Sequence, residues 1–195
     1  MASNPRIPKA EIRGVQGRLL KSLSRRMLGE VPEPAFVYWH NRTVLKDTAG
    51  LGRKAERWDA CDETLKAFAH MAVAALVGCS WCLDYGYFSA HTRGLDEAKA
   101  REVPRWRESD VFSPLERDVM EYAEAMSRTP TAVTDGLFAR LLDALGPAAM
   151  VELTAWIGLA NMATRGNTAL GIESQGLSKA CALPLAEPRI GVTQA

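Results

Sequence analysis

The stretch Leu65-Lys66-Ala67-Phe68-Ala69-His70-Met71-Ala72-Val73-Ala74-Ala75-Leu76-Val77-Gly78-Cys79-Ser80-Trp81-Cys82 decides how the chain folds. Leu65, Ala69, Ala72, Leu76 and Cys79 fall on one helical stripe, and Phe68, Met71 and Ala75 widen it until most of the circumference is apolar. A helix that is apolar on nearly all sides belongs at the centre of a bundle. The spacing predicts this helix over residues 59–78, with Gly78 ending or kinking it. A second helix, Cys79 to about Thr92, follows, with Gly94 as its cap. The cysteine pair therefore sits where an interior helix gives way to the next.

That junction, Gly78-Cys79-Ser80-Trp81-Cys82-Leu83-Asp84-Tyr85-Gly86, carries the chemistry. Two cysteines three residues apart come within bridging distance when a helix begins there. Unpaired backbone N–H groups at the helix start stabilise a thiolate and bring its pKa to roughly 6–7.5. Either sulfur can attack an oxidant while the other closes the disulfide. The spacing also fits half of a zinc site, or buried inert cysteines. Zinc needs a second pair; Cys61 and Cys181 are isolated and His40, His70 and His91 are scattered. Haem attachment needs His straight after the second cysteine, and Leu83 is there. No metal and no cofactor is implied.

On the N-terminal side, residues 1–9 hold Pro5 and Pro8 and read as an extended lead-in. Ile12, Val15, Leu19, Leu20, Leu23 and Met27 recur at helical spacing over residues 10–28, giving an amphipathic helix stopped by Gly29. Arg25-Arg26 reads as a solvated charge at its end. A helical pattern rich in aromatics resumes at residues 35–46, and Asp47 to Gly52 reads as a break. On the other side, residues 95–103 form a short charged helix stopped by Pro104. Ser113-Pro114-Leu115-Glu116 is a strong helix start, with Ser at the N-cap, Pro at N1 and Glu at N3. That helix runs to about Arg128. Thr131 or Thr134 opens another, closed by Gly146, and Pro147 begins a last long one towards Arg165. Beyond Gly171 the chain reads as loop.

No alternating strand pattern of useful length occurs, so the fold is all-α: a helical bundle in one domain. Its expected parts are an N-terminal helical extension (1–58), a core bearing the cysteine pair (59–110), a second helical half (111–172) and a tail (173–195). A 47% hydrophobic content with 24% charge is enough to bury a full core. The net charge of +1 gives no nucleic-acid footprint. Residues 1–8 hold no apolar secretory segment, and no run of 18 apolar residues lacks a charge. A cytoplasmic, reducing compartment with no membrane partner is the expectation, and there a close cysteine pair is catalytic rather than structural.

In sequence order the chain resembles the alkylhydroperoxidase AhpD-like / carboxymuconolactone decarboxylase family. The carriers are Val77 to Gly86 after an apolar helix, Gly94-Leu95-Asp96-Glu97, Pro104-Arg105-Trp106, and Phe112 to Arg117. Glu152-Leu153-Thr154 and Asn161…Arg165…Asn167 to Ile172 resemble the family's second half, and Met27 to Pro34 with Trp39-His40-Asn41 a longer subgroup. The resemblance covers most of residues 5–183. It implies a helical homo-oligomer, a dimer, trimer or hexamer. It also implies reduction of a hydroperoxide or disulfide substrate, with Cys82 as the peroxidatic thiolate and Cys79 as the resolving thiol. A lipoyl- or thioredoxin-like thiol reductant would recharge the pair.

The resemblance also implies a proton relay: Glu twelve residues before the first cysteine, His between the cysteines, and His four residues after the second. This chain has Ala67, Trp81 and Gly86 at those positions. Substitutes follow from helical geometry. Glu63 and His70 lie four before and three after Ala67, on one face. Tyr85 lies three after Cys82, whereas His91 lies about 180° round that helix. Glu63, His70 and Tyr85 are therefore the candidate relay. Two alternatives remain open. One is a decarboxylase acting on a small carboxylated substrate, its carboxylate bound by Arg165, Asn161 and His40. The other is a non-catalytic oligomer whose cysteines sense oxidant.

Overall fold

Helix α4 (Glu63–Val77) starts because the Asp62 side chain accepts the backbone N–H groups of Thr64 and Leu65. It stops where Gly78 turns left-handed at φ 76°, a conformation that costs glycine least. In the computed structural model, which describes residues 5–180, α4 is the hub of the bundle. Phe68, Ala69, Met71, Ala72, Val73 and Ala74 are wholly buried against α5, α7 and α8. Each large side chain so buried contributes on the order of 1.5–3 kcal/mol. Residues 59–62, expected inside this helix, form its capping approach.

The other elements are α1 (Gly14–Leu28), α2 (Glu33–Tyr38), α3 (Arg42–Ala55), α5 (Ser80–Thr92), α6 (Glu97–Glu102), α7 (Pro114–Ser127) and α8 (Asp135–Ala169). Val103–Glu108 and Leu177–Ala180 form 3-10 turns. No strand occurs among the described residues. The expected capping box opens α7: Ser113 accepts the Glu116 N–H, and the Glu116 carboxylate accepts the Ser113 N–H. Thr134, not Thr131, caps α8. That helix breaks at Gly146 (φ 76°, ψ 167°), and Pro147 starts its second part, as the pair Gly146-Pro147 predicts. The 35 residues of α8 are long and apolar enough to cross a membrane by composition. They serve here as a core helix, with Leu141, Leu153, Ile157 and Thr164 wholly buried.

Two expectations need correction. Residues 35–46 are not one helix: the chain leaves α2 at Trp39, and the Asn41 side chain caps a new helix by accepting the Val44 N–H. Asp47 to Gly52 is not a break but the middle of α3. Two glycines cost a helix about 1 kcal/mol each, which the cap, the Thr48 hydroxyl bonded back to Val44, and docking through buried Ala55 offset. Helix α1 is amphipathic as the spacing predicts, yet it buries only Gly17 and Ser24, and its apolar stripe faces outward. Cys181, Pro184 and Pro188 lie outside the described residues.

Candidate active site

The chain places Cys79 by a double constraint. Its N–H returns to the Ala74 carbonyl across the left-handed Gly78, and its own carbonyl receives the Leu83 N–H as α5 begins. Cys79 is thus the N-cap of α5, and its sulfur accepts the Cys82 N–H at 3.3 Å. Cys79 and Cys82 are joined in a disulfide, with Cα atoms 5.3 Å apart. Each is only 1% exposed. A substrate reaches the sulfurs only if the covering residues yield.

One side chain reaches a sulfur of the pair and a second reaches the Cys82 main chain. The Asn167 carboxamide, in the last turn of α8 and itself buried, donates to the Cys82 sulfur at 3.3 Å. His70, from α4, has a buried Nε2 with no hydrogen-bond partner. Burial pushes its pKa below the ordinary histidine value, and a hydrogen bond with the Cys82 main chain opposes that only in part. The ring is therefore neutral at pH 7. Gly86 packs against the same part of α4: a Cβ there would lie 2.8 Å from Met71 Cγ and 3.4 Å from His70 Cδ2. Met71 thus fills the space that a side chain at position 86 would need, with His70 in ordinary contact beside it.

The other candidate relay residues go elsewhere. Glu63 is half-exposed and binds Arg93 at 2.6 Å, and Arg93 also pairs with Glu56. Tyr85 stacks on Trp81, with ring centroids 5.2 Å apart. Burial, with the Glu56 charge adding to it, raises its pKa. His91 pairs with Glu97, away from the sulfurs. Of Glu63, His70 and Tyr85, His70 is the one with a hydrogen bond to the Cys82 main chain.

Asp84, in the first turns of α5, anchors the segment that lies over this end of the bundle. Its carboxylate accepts the Gly176, Leu177 and Ser178 N–H groups at 2.6–3.0 Å and the Ser174 hydroxyl at 2.7 Å. Burial alone would raise its pKa; donors from Ser178, Ser174 and Leu177 outweigh that and hold it below the usual carboxylate range. The Ser174 N–H donates to Ser80, and Trp81 donates to Gln175. Arg6, Gly78, Ser80, Thr168 and Gly171 to Ser174 line a cleft of about 610 Å³ beside Cys79.

Of the carboxylate-binding set, Arg165 and Asn161 come together, and His40 bonds elsewhere. Arg165 binds Asn161 and the Ser127 carbonyl, Asn161 also donates to the Ser127 hydroxyl, and His40 meets the Pro8 carbonyl. Cys61 is buried, its thiol pushed up to about 11 by burial and the nearby Glu152. Among the described residues no cluster of three or more His, Cys, Asp or Glu forms a metal site. Sequence reasoning did not assign Asn167 or Asp84 to the site. The one available signal was a buried-pattern polar residue on an apolar helix.

The carboxymuconolactone decarboxylase family model matches residues 46–125. The uncharacterized protein YnjA of Escherichia coli K12 is 35% identical over 168 residues, covering 83% of this chain and 88% of that protein. The debrominase Bmp8, solved with 2,3,4-tribromopyrrole, superposes with a TM-score of 0.78 at 19% identity, over 91% of this chain and 97% of that one. An uncharacterized peroxidase-related protein with an alkylhydroperoxidase AhpD core, from Ralstonia eutropha JMP134, gives a TM-score of 0.72 at 15% identity, over 88% and 92%. At those identities the solved structures share the fold.

Proposed function

The chain belongs to the carboxymuconolactone decarboxylase family, and from that premise we propose that it is a dithiol oxidoreductase of the alkylhydroperoxidase-like branch. The observation that carries this is the Cys79–Cys82 disulfide at a helix start, with Asn167 on one sulfur and a neutral His70 bonded to the Cys82 main chain, its Nε2 without a partner. The relatives named for peroxidase or halogen-removing activity support it only through their fold.

In the reduced enzyme the Cys82 thiol passes its proton to His70, whose free ring nitrogen is an acceptor. The thiolate attacks the outer oxygen of a hydroperoxide, and the O–O bond breaks. The departing oxygen takes the proton from His70 and leaves as alcohol or water. Cys82 is now a sulfenic acid. Cys79 attacks that sulfur, water leaves, and the disulfide forms. A lipoyl- or thioredoxin-like dithiol then reduces it by exchange, itself becoming a disulfide. Such a cycle suits a reducing, cytoplasmic compartment.

The test is hydroperoxide consumption with dihydrolipoamide as reductant, on wild type, Cys82→Ser and Cys79→Ser. Turnover in wild type alone, with one sulfenic acid per chain trapped in Cys79→Ser, is the expected result. A disulfide that forms and reopens with no turnover under any reductant would leave a redox switch instead. Activity on a carboxylated lactone that survives both replacements would favour the decarboxylase reading.

A further inference from the structure

Ser80 and Trp81 are the two residues that the Cys79–Cys82 disulfide encloses, and both hold the segment that crosses this end of the bundle. The Ser80 hydroxyl accepts the Ser174 N–H at 3.1 Å, and the Trp81 indole donates to the Gln175 carboxamide oxygen at 3.0 Å. On either side the segment is pinned independently of them. The Ile172 N–H returns to the Asn167 carbonyl at 2.9 Å. The Asp84 carboxylate holds the N–H groups of Gly176, Leu177 and Ser178 and the Ser174 hydroxyl. Gln175 is also tied to the entry of α2: its carboxamide oxygen accepts the Glu33 N–H at 2.7 Å, and its NH2 donates to the Val31 carbonyl at 3.4 Å. Residues 172–178 thus form an arch with fixed feet, latched at its crown to the two residues between the sulfurs.

The arch walls the cleft of about 610 Å³ beside Cys79, which Ile172, Glu173 and Ser174 line together with Gly78 and Ser80, the chain neighbours of Cys79. Opening the disulfide must move a sulfur, because two thiols in non-bonded contact take up more room than two bonded ones. Close-packed surroundings resist such a change unless one side has space. Cys82 is hindered: it lies within α5, and its sulfur is held by the buried Asn167 carboxamide. Cys79 is the N-cap, preceded by Gly78, where even an added Cβ would meet nothing within 4 Å. The space is on the cleft side.

We propose that the arch is a redox-governed cover of the cysteine pair. While Cys79 and Cys82 are joined, Ser80 and Trp81 hold the crown down and the sulfurs stay buried. A dithiol reductant breaks the S–S bond by exchange: it gives up two electrons and two protons, becomes a disulfide itself and leaves two thiols on the protein. Cys79 then shifts toward the cleft and carries Ser80 with it. The Ser80–Ser174 and Trp81–Gln175 hydrogen bonds part, and the crown lifts on its two feet while Gln175 keeps its bonds to Val31 and Glu33. The reduced site is therefore the open one, and the disulfide is shielded. This needs the pair to be reducible and nothing more, so it stands or falls apart from hydroperoxide turnover.

The experiment is residue-resolved hydrogen exchange by NMR on the full-length protein, oxidised and after reduction with a phosphine. On reduction the Ser174 N–H and the Trp81 indole N–H should exchange about tenfold faster, the order that one net hydrogen bond carries. The N–H groups of Ile172, Gly176, Leu177 and Ser178 belong to the feet and should change by less than about twofold. In Cys79→Ala/Cys82→Ala the phosphine should have no effect. Ser80→Ala/Gln175→Ala cuts the latch without touching the sulfurs. Its oxidised form should already exchange at Ser174 like reduced wild type, and dithiothreitol should open its disulfide about threefold faster or more. Trp81→Phe, which keeps a ring and loses the donor, should move the same way by a smaller factor; circular dichroism verifies each fold. Equal exchange at Ser174 in the two redox states would overturn the proposal. Feet that loosen together with the crown would overturn it as well, because reduction would then melt this end of the bundle. So would an unchanged rate of disulfide opening in both latch variants, because the arch would then not cover the sulfurs.

Discussion

The Asn167 carboxamide donates to the Cys82 sulfur at 3.3 Å, tying the last turn of α8 to the first turn of α5 across 85 residues of sequence. A buried amide aimed at a sulfur favours the charged thiolate over the thiol. Hydrogen bonds to charged groups contribute about 1.5–3 kcal/mol, and each pKa unit is about 1.4 kcal/mol. Asn167→Ala should therefore raise the Cys82 thiol pKa by about one unit or more. Thiolate absorbance against pH, in a Cys79→Ser background, measures it. An unchanged pKa would show that the amide serves packing alone.

His70 gives a prediction with a sign. Burial lowers its pKa, so the folded protein holds a neutral ring at pH 7 and loses this base only as pH falls through that lowered value. In His70→Gln the rate of thiol reaction with hydroperoxide at neutral pH should fall on the order of 10²-fold, typical of a lost general base. The acid limb of the pH–rate profile should then follow the thiol. The same shift links to stability. Below about pH 6.5 the unfolded chain takes up a proton that the native ring refuses. Wild type should lose stability there, and His70→Gln should lose less. Chemical denaturation at pH 5 and pH 7 compares them.

Asp84 is the reverse case. Its carboxyl is held low by the donors of residues 174–178. The stabilisation is present above the unfolded value near 3.9 and is lost as pH falls through the lower folded value. Asp84→Asn turns an acceptor of several N–H groups into an amide that repels one of them. A cost of about 1.5–3 kcal/mol in urea unfolding is expected, with faster proteolysis of the segment after Gly171. Equal protection in mutant and wild type would contradict the anchoring role.

Lys66 and Glu152 form a nearly buried ion pair at 2.7 Å, and the lysine also donates to the Trp58 carbonyl. Removing one partner strands a buried charge. Lys66→Met alone should cost about 3–5 kcal/mol, whereas Lys66→Met with Glu152→Leu should recover a large part of it. Thermal unfolding of the two single variants and the double variant completes the cycle. Additive losses would show that the charges act independently.

The fold was legible wherever the signal is local. Ser113 with Glu116, Gly78, and Gly146-Pro147 all act within one turn of their own position, and each sets the boundary it predicts. Asp47 to Gly52 misled because glycine punctuation is a local cost that a cap at Asn41 and the docking of Ala55 override. The site was legible only in part for the same reason. Cys79 and Cys82 declare themselves by spacing. Asn167 and Asp84 have their roles through partners roughly ninety residues away, which no local pattern encodes. Helical periodicity reveals the stripe on α1, but not that it stays exposed among the described residues.

The central claim is that Cys79 and Cys82 exchange electrons as a pair. The direct measurement is thiol counting with intact-mass spectrometry on the fully reduced protein after one equivalent of hydroperoxide. The account predicts the loss of two thiols, a mass lower by two hydrogens, and a peptide map joining Cys79 to Cys82. Both thiols left free after the peroxide is consumed elsewhere, or oxidation that stops at a single sulfur in wild type, would contradict it.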